Sequence, residues 1–119
     1  MGRIGAKQAC LDLTSKFGEV LQSSRDDLDI EAISQFVSIR ANVGVFCGCY
    51  YYEVMLKTMG LMQIGWSTIQ TPFTSHRGVG DDPTSFAYDG FRVKKWNKDN
   101  LAYGEAWSIG DVIGTLIDF

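Results

Sequence analysis

With 119 residues, the chain is long enough to bury one hydrophobic core and too short for two. Its 45% hydrophobic and 21% charged residues are the proportions of an ordinary globular fold, and a formal net charge of -3 gives no electrostatic footprint for nucleic acid or for an anionic membrane surface. Thirteen glycines favour many turns and short strands over long helices.

Other features of the chain set its expected setting. No apolar run reaches the roughly eighteen residues of a transmembrane helix. The opening MGRIGA lacks the apolar core of a signal peptide, and Ala6 breaks the myristoylation pattern. Three cysteines, Cys10, Cys47 and Cys49, make a poor disulfide framework because the count is odd. Reduced thiols in a cytoplasmic or nuclear protein are the expectation. Cys47 and Cys49, if both on a strand, would share a face and could not easily bond each other.

In chain order, residues 8–22 (QACLDLTSKFGEVLQ) partly fit helical spacing and equally fit two strands. A hairpin of Cys10–Leu13 and Glu19–Gln22, turning at Ser15–Gly18, is preferred because Gly18 is awkward inside a helix. Ser23–Asp29 is a polar connector, and residues 29–34 are expected to form a short helical turn capped by Asp29. From Phe36 the pattern is β. Phe36–Ala41 is a candidate strand, and Tyr50–Lys57 is the strongest one. It alternates Tyr50, Tyr52, Val54 and Leu56 on the expected core face with Tyr51, Glu53, Met55 and Lys57 on the other. Met62, Ile64 and Trp66 form a second apolar face, and Phe86 with Tyr88 a third. Phe91–Trp96 reads as a mixed, charged strand, either an edge or half-exposed, and Val112–Phe119 as the last strand, entered through a Ser108–Asp111 turn. Six or more short strands with turns between them and no βα repeat predict an all-β sandwich or barrel.

Catalytic constellations fail one by one. A single histidine, His76, excludes a His-based metal cluster, and no local signature joins it to Cys47 or Cys49 as nucleophile and base. Gly78-Val79-Gly80-Asp81-Asp82-Pro83 begins like a dinucleotide fingerprint but carries Pro83 in place of its third glycine. It also follows no strand and opens no helix. Asp81 and Asp82 lack calcium-loop spacing and read as a solvated turn. Arg92, Lys94, Lys95 and Lys98 around Trp96 resemble a nucleic-acid strip only superficially in a chain of net negative charge. No cofactor, metal, nucleic acid or membrane is expected.

The order of the motifs is more specific than any one of them. Tyr51-Tyr52-Glu53-Val54, Gln63-Ile64-Gly65-Trp66, Ser85-Phe86-Ala87-Tyr88-Asp89-Gly90 and Gly110-Asp111-Val112-Ile113-Gly114-Thr115-Leu116-Ile117-Asp118 follow one another. In that order they resemble a SPRY domain, the interaction module also found within B30.2 units. GLMQIGWSTI, SFAYDGFRVKKWN and YGEAWSIGD are similar to a narrower subgroup, the SPRY domains of RING-type ubiquitin ligases like RING finger protein 123 of the Kip ubiquitination-promoting complex.

This resemblance implies a concanavalin-like antiparallel β-sandwich over residues 1–119. The clear signature spans 36–119, preceded by an N-terminal hairpin and connector in 1–35. SPRY domains continue past the strand ending at Phe119, so the chain is expected to be a truncated sandwich, unstable or with an apolar edge exposed. A RING is not part of it, because three cysteines and one histidine cannot fill two zinc sites. The implied role is non-catalytic: binding a protein or peptide, a ligase substrate or adaptor, on behalf of a RING-type ubiquitin ligase. The alternative is a SPRY scaffold in an RNA-associated or chromatin complex without a ligase. Contact residues carried over from peptide-binding SPRY domains are Ser67, Thr68, Ile69, Gln70, Thr71 and Phe73 in the loop after the GW strand, with Arg92 and Trp96. Trp66, Tyr52, Phe86 and Tyr88 are expected in the core. Trp96→Ala is expected to weaken binding by ~2 kcal/mol and leave the fold intact.

Overall fold

The computed structural model of the chain describes residues 2–22 and 26–119. These hold twelve β-strands and no α-helix, and every strand pairing with a defined register is antiparallel. The all-β class expected from the glycine-rich, alternating sequence is the class observed. The chain divides into two compact units, one of Met1–Tyr50, Phe73–His76 and Asp118–Phe119, the other of Tyr51–Pro72 and Arg77–Ile117.

The first unit contains β1 (Arg3–Gly5), β2 (Leu11–Phe17), β3 (Val20–Gln22), β4 (Ile30–Ala32), β5 (Ser38–Ala41) and β6 (Val43–Val45). They pair as β1 with β6, β2 with β5, and β3 with β4. The hairpin expected between residues 10–13 and 19–22 does not form. Gly18 does break the chain, with φ at +91°, but it has a second role. A Cβ there would collide with the Phe36 carbonyl, so glycine lets residues 36–38 approach and β2 pairs with β5 instead. Asn42 stitches the same pair, accepting from the Cys10 backbone at 3.0 Å and donating Nδ2 to Cys10 Sγ at 3.2 Å.

The helical turn expected over 29–34 is also absent. Ile30–Ala32 is strand β4, in register with Gln22, Leu21 and Val20. β-Branched Ile30 and Ile33 suit the extended chain, and the Glu19 carbonyl takes the Ile33 amide at 2.9 Å. The first residues of the expected polar connector, 23–25, lie outside the described residues.

The second unit holds most of β7 (Cys49–Met55), β8 (Ile64–Ser67), β9 (Ser85–Asp89), β10 (Lys94–Asn97), β11 (Asp99–Ala102) and most of β12 (Val112–Asp118). Four of them form a sheet in the order β11-β10-β9-β8, while β12 pairs with β7. β7 alternates as its sequence requires, with Tyr50, Tyr52 and Val54 half-buried and Tyr51, Glu53 and Met55 exposed; Leu56 beyond it is buried. The Tyr52 ring meets Trp66 edge-on at 5.1 Å, and its hydroxyl donates to the Gly65 carbonyl at 2.5 Å. Burial pushes the Tyr52 pKa up, which keeps that hydroxyl a donor.

Two expectations for this sheet are corrected. On β9 the buried side chains are Ser85, Ala87 and Asp89, whereas Phe86 is 59% exposed and Tyr88 half-buried. Small residues take the inner face because backbone presses on it. A Cβ at Gly80 would lie 2.7 Å from the Ala87 Cβ and 2.9 Å from the Trp96 Cβ. Of the two readings of the basic strand, half-exposed holds and edge does not: Lys94–Asn97 alternates half-buried and exposed residues and lies between β9 and β11, and it is β11, exposed along its whole length, that forms the rim. Among the described residues every buried hydrophobic side chain, Leu56, Ala87 and Trp107, belongs to this second unit.

Candidate protein-interaction surface

The loop leaving β8 begins as a tight turn. The Thr71 amide donates to the Thr68 carbonyl at 3.3 Å, which sets Ile69 and Gln70 at the two central positions. The Thr71 side chain is 3% exposed. Its hydroxyl accepts from the Thr68 amide at 3.1 Å and lies 3.1 Å from the Thr68 hydroxyl and 2.8 Å from the Thr84 hydroxyl. Thr68 N in turn donates to the Thr84 carbonyl at 3.3 Å. A threonine cluster thus pins the base of the turn to the strand that follows. At the tip Gln70 is exposed and Ile69 is 86% exposed, an apolar side chain held in water by its own backbone.

The expected contact residues therefore separate. Ile69 and Gln70 are displayed, Thr68 is exposed and part of the threonine cluster, and Ser67 is half-buried at the end of β8. Thr71 is internal, so its hydroxyl fastens the loop and is not offered to a ligand. Phe73 belongs to the first unit, half-buried, with the Arg40 guanidinium 3.9 Å above its ring.

Arg92 and Trp96 do come together, with the guanidinium 4.7 Å from the indole. Arg92 also donates Nε to the Asp89 carboxylate at 2.5 Å and Nη2 to Gln63 Oε1 at 2.8 Å. Asp89 is fully buried, and its other oxygen accepts the Phe91 and Arg92 amides, each at 3.0 Å, capping the turn into β10. Such charge-assisted bonds orient Arg92, whose side chain remains 37% exposed. Trp96 is half-buried, its indole N–H without a partner among the described residues. Truncating it removes packing as well as surface, unlike the fold-neutral change expected from sequence.

The second half of the same long loop is built differently. Gln63 Nε2 donates to the Val79 carbonyl at 2.6 Å and to Asp81 at 3.1 Å. The Gly78 amide donates to Asp81 at 2.8 Å, and the Gly80 amide to Ser85 Oγ at 2.7 Å. Asp82 accepts from the Thr84 and Ser85 hydroxyls at 2.9 Å and 3.0 Å. Burial by itself pushes the Asp82 carboxyl up, but the Thr84 and Ser85 donors and the nearby Arg77 charge bring it below the usual aspartate value. This half is a turn, as its sequence suggests. Among the described residues no three His, Cys, Asp or Glu side chains are grouped to hold a metal ion.

Sequence reasoning missed two features. Thr84 is the anchor of the Thr68–Thr71 turn, and the Asp82-Pro83-Thr84-Ser85 run, a short polar cap before an apolar strand, was its available signal. Phe86 is among the exposed apolar side chains of the unit, and nothing in a Ser-Phe-Ala-Tyr strand tells which face is inward.

A SPRY domain model matches residues 49–119. The E3 ubiquitin-protein ligase RKP of Arabidopsis thaliana is 50% identical over 91 residues, 76% of this chain and 7% of the ligase. The ATP-dependent RNA helicase DDX1 of Xenopus laevis is 35% identical over 86 residues, 72% of this chain and 11% of the helicase. The chain thus spans a small fraction of either relative, and the segment it shares with them is an interaction module. With its Tyr52–Trp66 pair, its Asp89-capped turn and its paired β7 and β12 inside the matched region, the chain belongs to the SPRY domain family.

Proposed function

We propose that this chain is the partner-recruiting module of a ubiquitin ligase. It binds a protein or peptide segment, a substrate or adaptor subunit, in the cytoplasm or nucleus, and leaves the chemistry to the rest of the ligase. The observation that carries this reading is the 50% identity to a ubiquitin ligase across three-quarters of the chain. The display of Ile69 and Gln70 on a pinned turn supports it physically. An exposed apolar side chain whose backbone is already ordered loses little conformational freedom on binding, which favours affinity. Arg92, oriented over Trp96, adds directional donors of the type enriched at interface hot spots.

The second reading, an RNA-associated scaffold, is favoured by the 35% identity to an RNA helicase. Crosslinking separates the two. With a photoreactive residue at position 69 of the protein in its natural full-length setting, the first reading expects crosslinks to proteins whose ubiquitylation falls in the Ile69→Asp variant. Crosslinks confined to ribonucleoprotein components, with no ubiquitylation affected, would replace it by the second.

A further inference from the structure

We infer that Cys47 and Cys49 are a dithiol modification site, closed reversibly to a disulfide by small-molecule disulfides of the glutathione class. Both thiols are free and exposed. On a continuous strand, two residues of rise set the outer Cα atoms about 6.6 Å apart, near the limit a disulfide tolerates. That geometry is not present here. β7 begins only at Cys49, Cys47 and Gly48 form a bend, and Gly48 has φ at +95°, so the chain turns between the two thiols instead of running straight.

The bend is held on both sides. The Phe46 amide donates to the Gly2 carbonyl at 2.8 Å, and the Phe119 amide donates to the Gly48 carbonyl at 3.0 Å. Gly2 packs so closely that a Cβ there would collide with the Cys47 carbonyl. The third thiol is set apart from this arrangement: Cys10 is half-buried, and its sulfur accepts the Asn42 amide.

The exchange balances as two displacements. One thiolate of the pair attacks a sulfur of the small disulfide, forming a mixed disulfide and expelling a thiolate that takes up a proton. The second cysteine, deprotonated, then attacks the protein-bound sulfur, closes the Cys47–Cys49 bond and expels the second small thiol. The two cysteines lose two electrons, and the small disulfide is reduced to two thiols.

The test equilibrates the chain with reduced and oxidised glutathione in defined ratios, traps free thiols by alkylation and reads the 41–57 tryptic peptide by mass spectrometry. The expected product has lost two hydrogens, has no adduct and leaves Cys10 alkylated. Half-oxidation is expected at an oxidised-to-reduced ratio at least about tenfold lower for the folded chain than for the chain in urea. Cys49→Ser should stop at a single glutathione adduct on Cys47. Equal ratios folded and unfolded, a stable adduct on the unsubstituted pair, or oxidation that captures Cys10 would each overturn the inference.

Discussion

The two halves of the loop between β8 and β9 share a composition and differ in what they do with it. Residues 78–85 turn their polar groups inward. Asp81, Asp82 and Ser85 accept or donate within the loop, Gln63 reaches into it, and its Gly80 backbone lies on Ala87 and Trp96. Residues 68–71 use their threonines only at the base and leave Ile69 and Gln70 outside. Serine, threonine, aspartate and glycine therefore do not mark an exposed loop tip by themselves. What distinguishes it is a side chain left exposed by a backbone that is otherwise satisfied.

The comparison can be broken most severely at Asp89, at the end of β9 that follows the 78–85 half. Asp89→Ala removes the acceptor of two amides and of the Arg92 guanidinium from a fully buried position, and is expected to cost about 3 kcal/mol in urea unfolding. Trp96→Ala is expected to cost about 2 kcal/mol, because the ring is half-buried beneath Gly80 and Arg92. A cost near zero would return Trp96 to a purely surface role.

A pH titration sharpens the same half. The Asp82 carboxyl is depressed in the folded chain, so its contribution is full above the unfolded value and is lost as pH falls through the folded one. The urea midpoint should therefore drop between about pH 5 and about pH 3, and Asp82→Asn should flatten that drop. The smallest stability effect belongs to the half with the exposed tip. Ile69→Asp should move the unfolding free energy by less than about 0.5 kcal/mol, yet weaken partner capture about tenfold or more in a titration. A stability loss comparable to that of Asp89→Ala would show the tip to be structural, and the contrast between the halves would disappear.

Much of this fold was legible in the chain. The alternation from Tyr50 to Leu56 identified both faces of β7, and the glycine-rich spacing gave the all-β class. What was not legible depended on partners distant in sequence. Gly18 reads as a hairpin turn until Phe36 is beside it, and Ile30–Ala32 reads as helical until Val20–Gln22 pairs with it. On β9 the period of two was correct but its phase was not, because the backbone covering Ala87 comes from residue 80. In the loop after β8 the burial of Thr71 follows from a hydrogen bond to Thr84 that spacing alone does not reveal.

The pairing of β12 with β7 carries a consequence for how the second unit assembles. β9, β10 and β11 are joined by short turns and can zip as a local meander. The bonds from Leu56 N to the Asp111 carbonyl and from Gly110 N to the Leu56 carbonyl, by contrast, join opposite ends of the unit. Closing so long a loop costs entropy before any contact compensates, so this step is expected to be the slower one in folding. In a pulsed hydrogen-exchange experiment the β9–β11 amides should gain protection in an early phase, and those of Leu56 and Gly110 in a later one. The last region to become ordered would then be the one that joins the two ends of the matched SPRY segment.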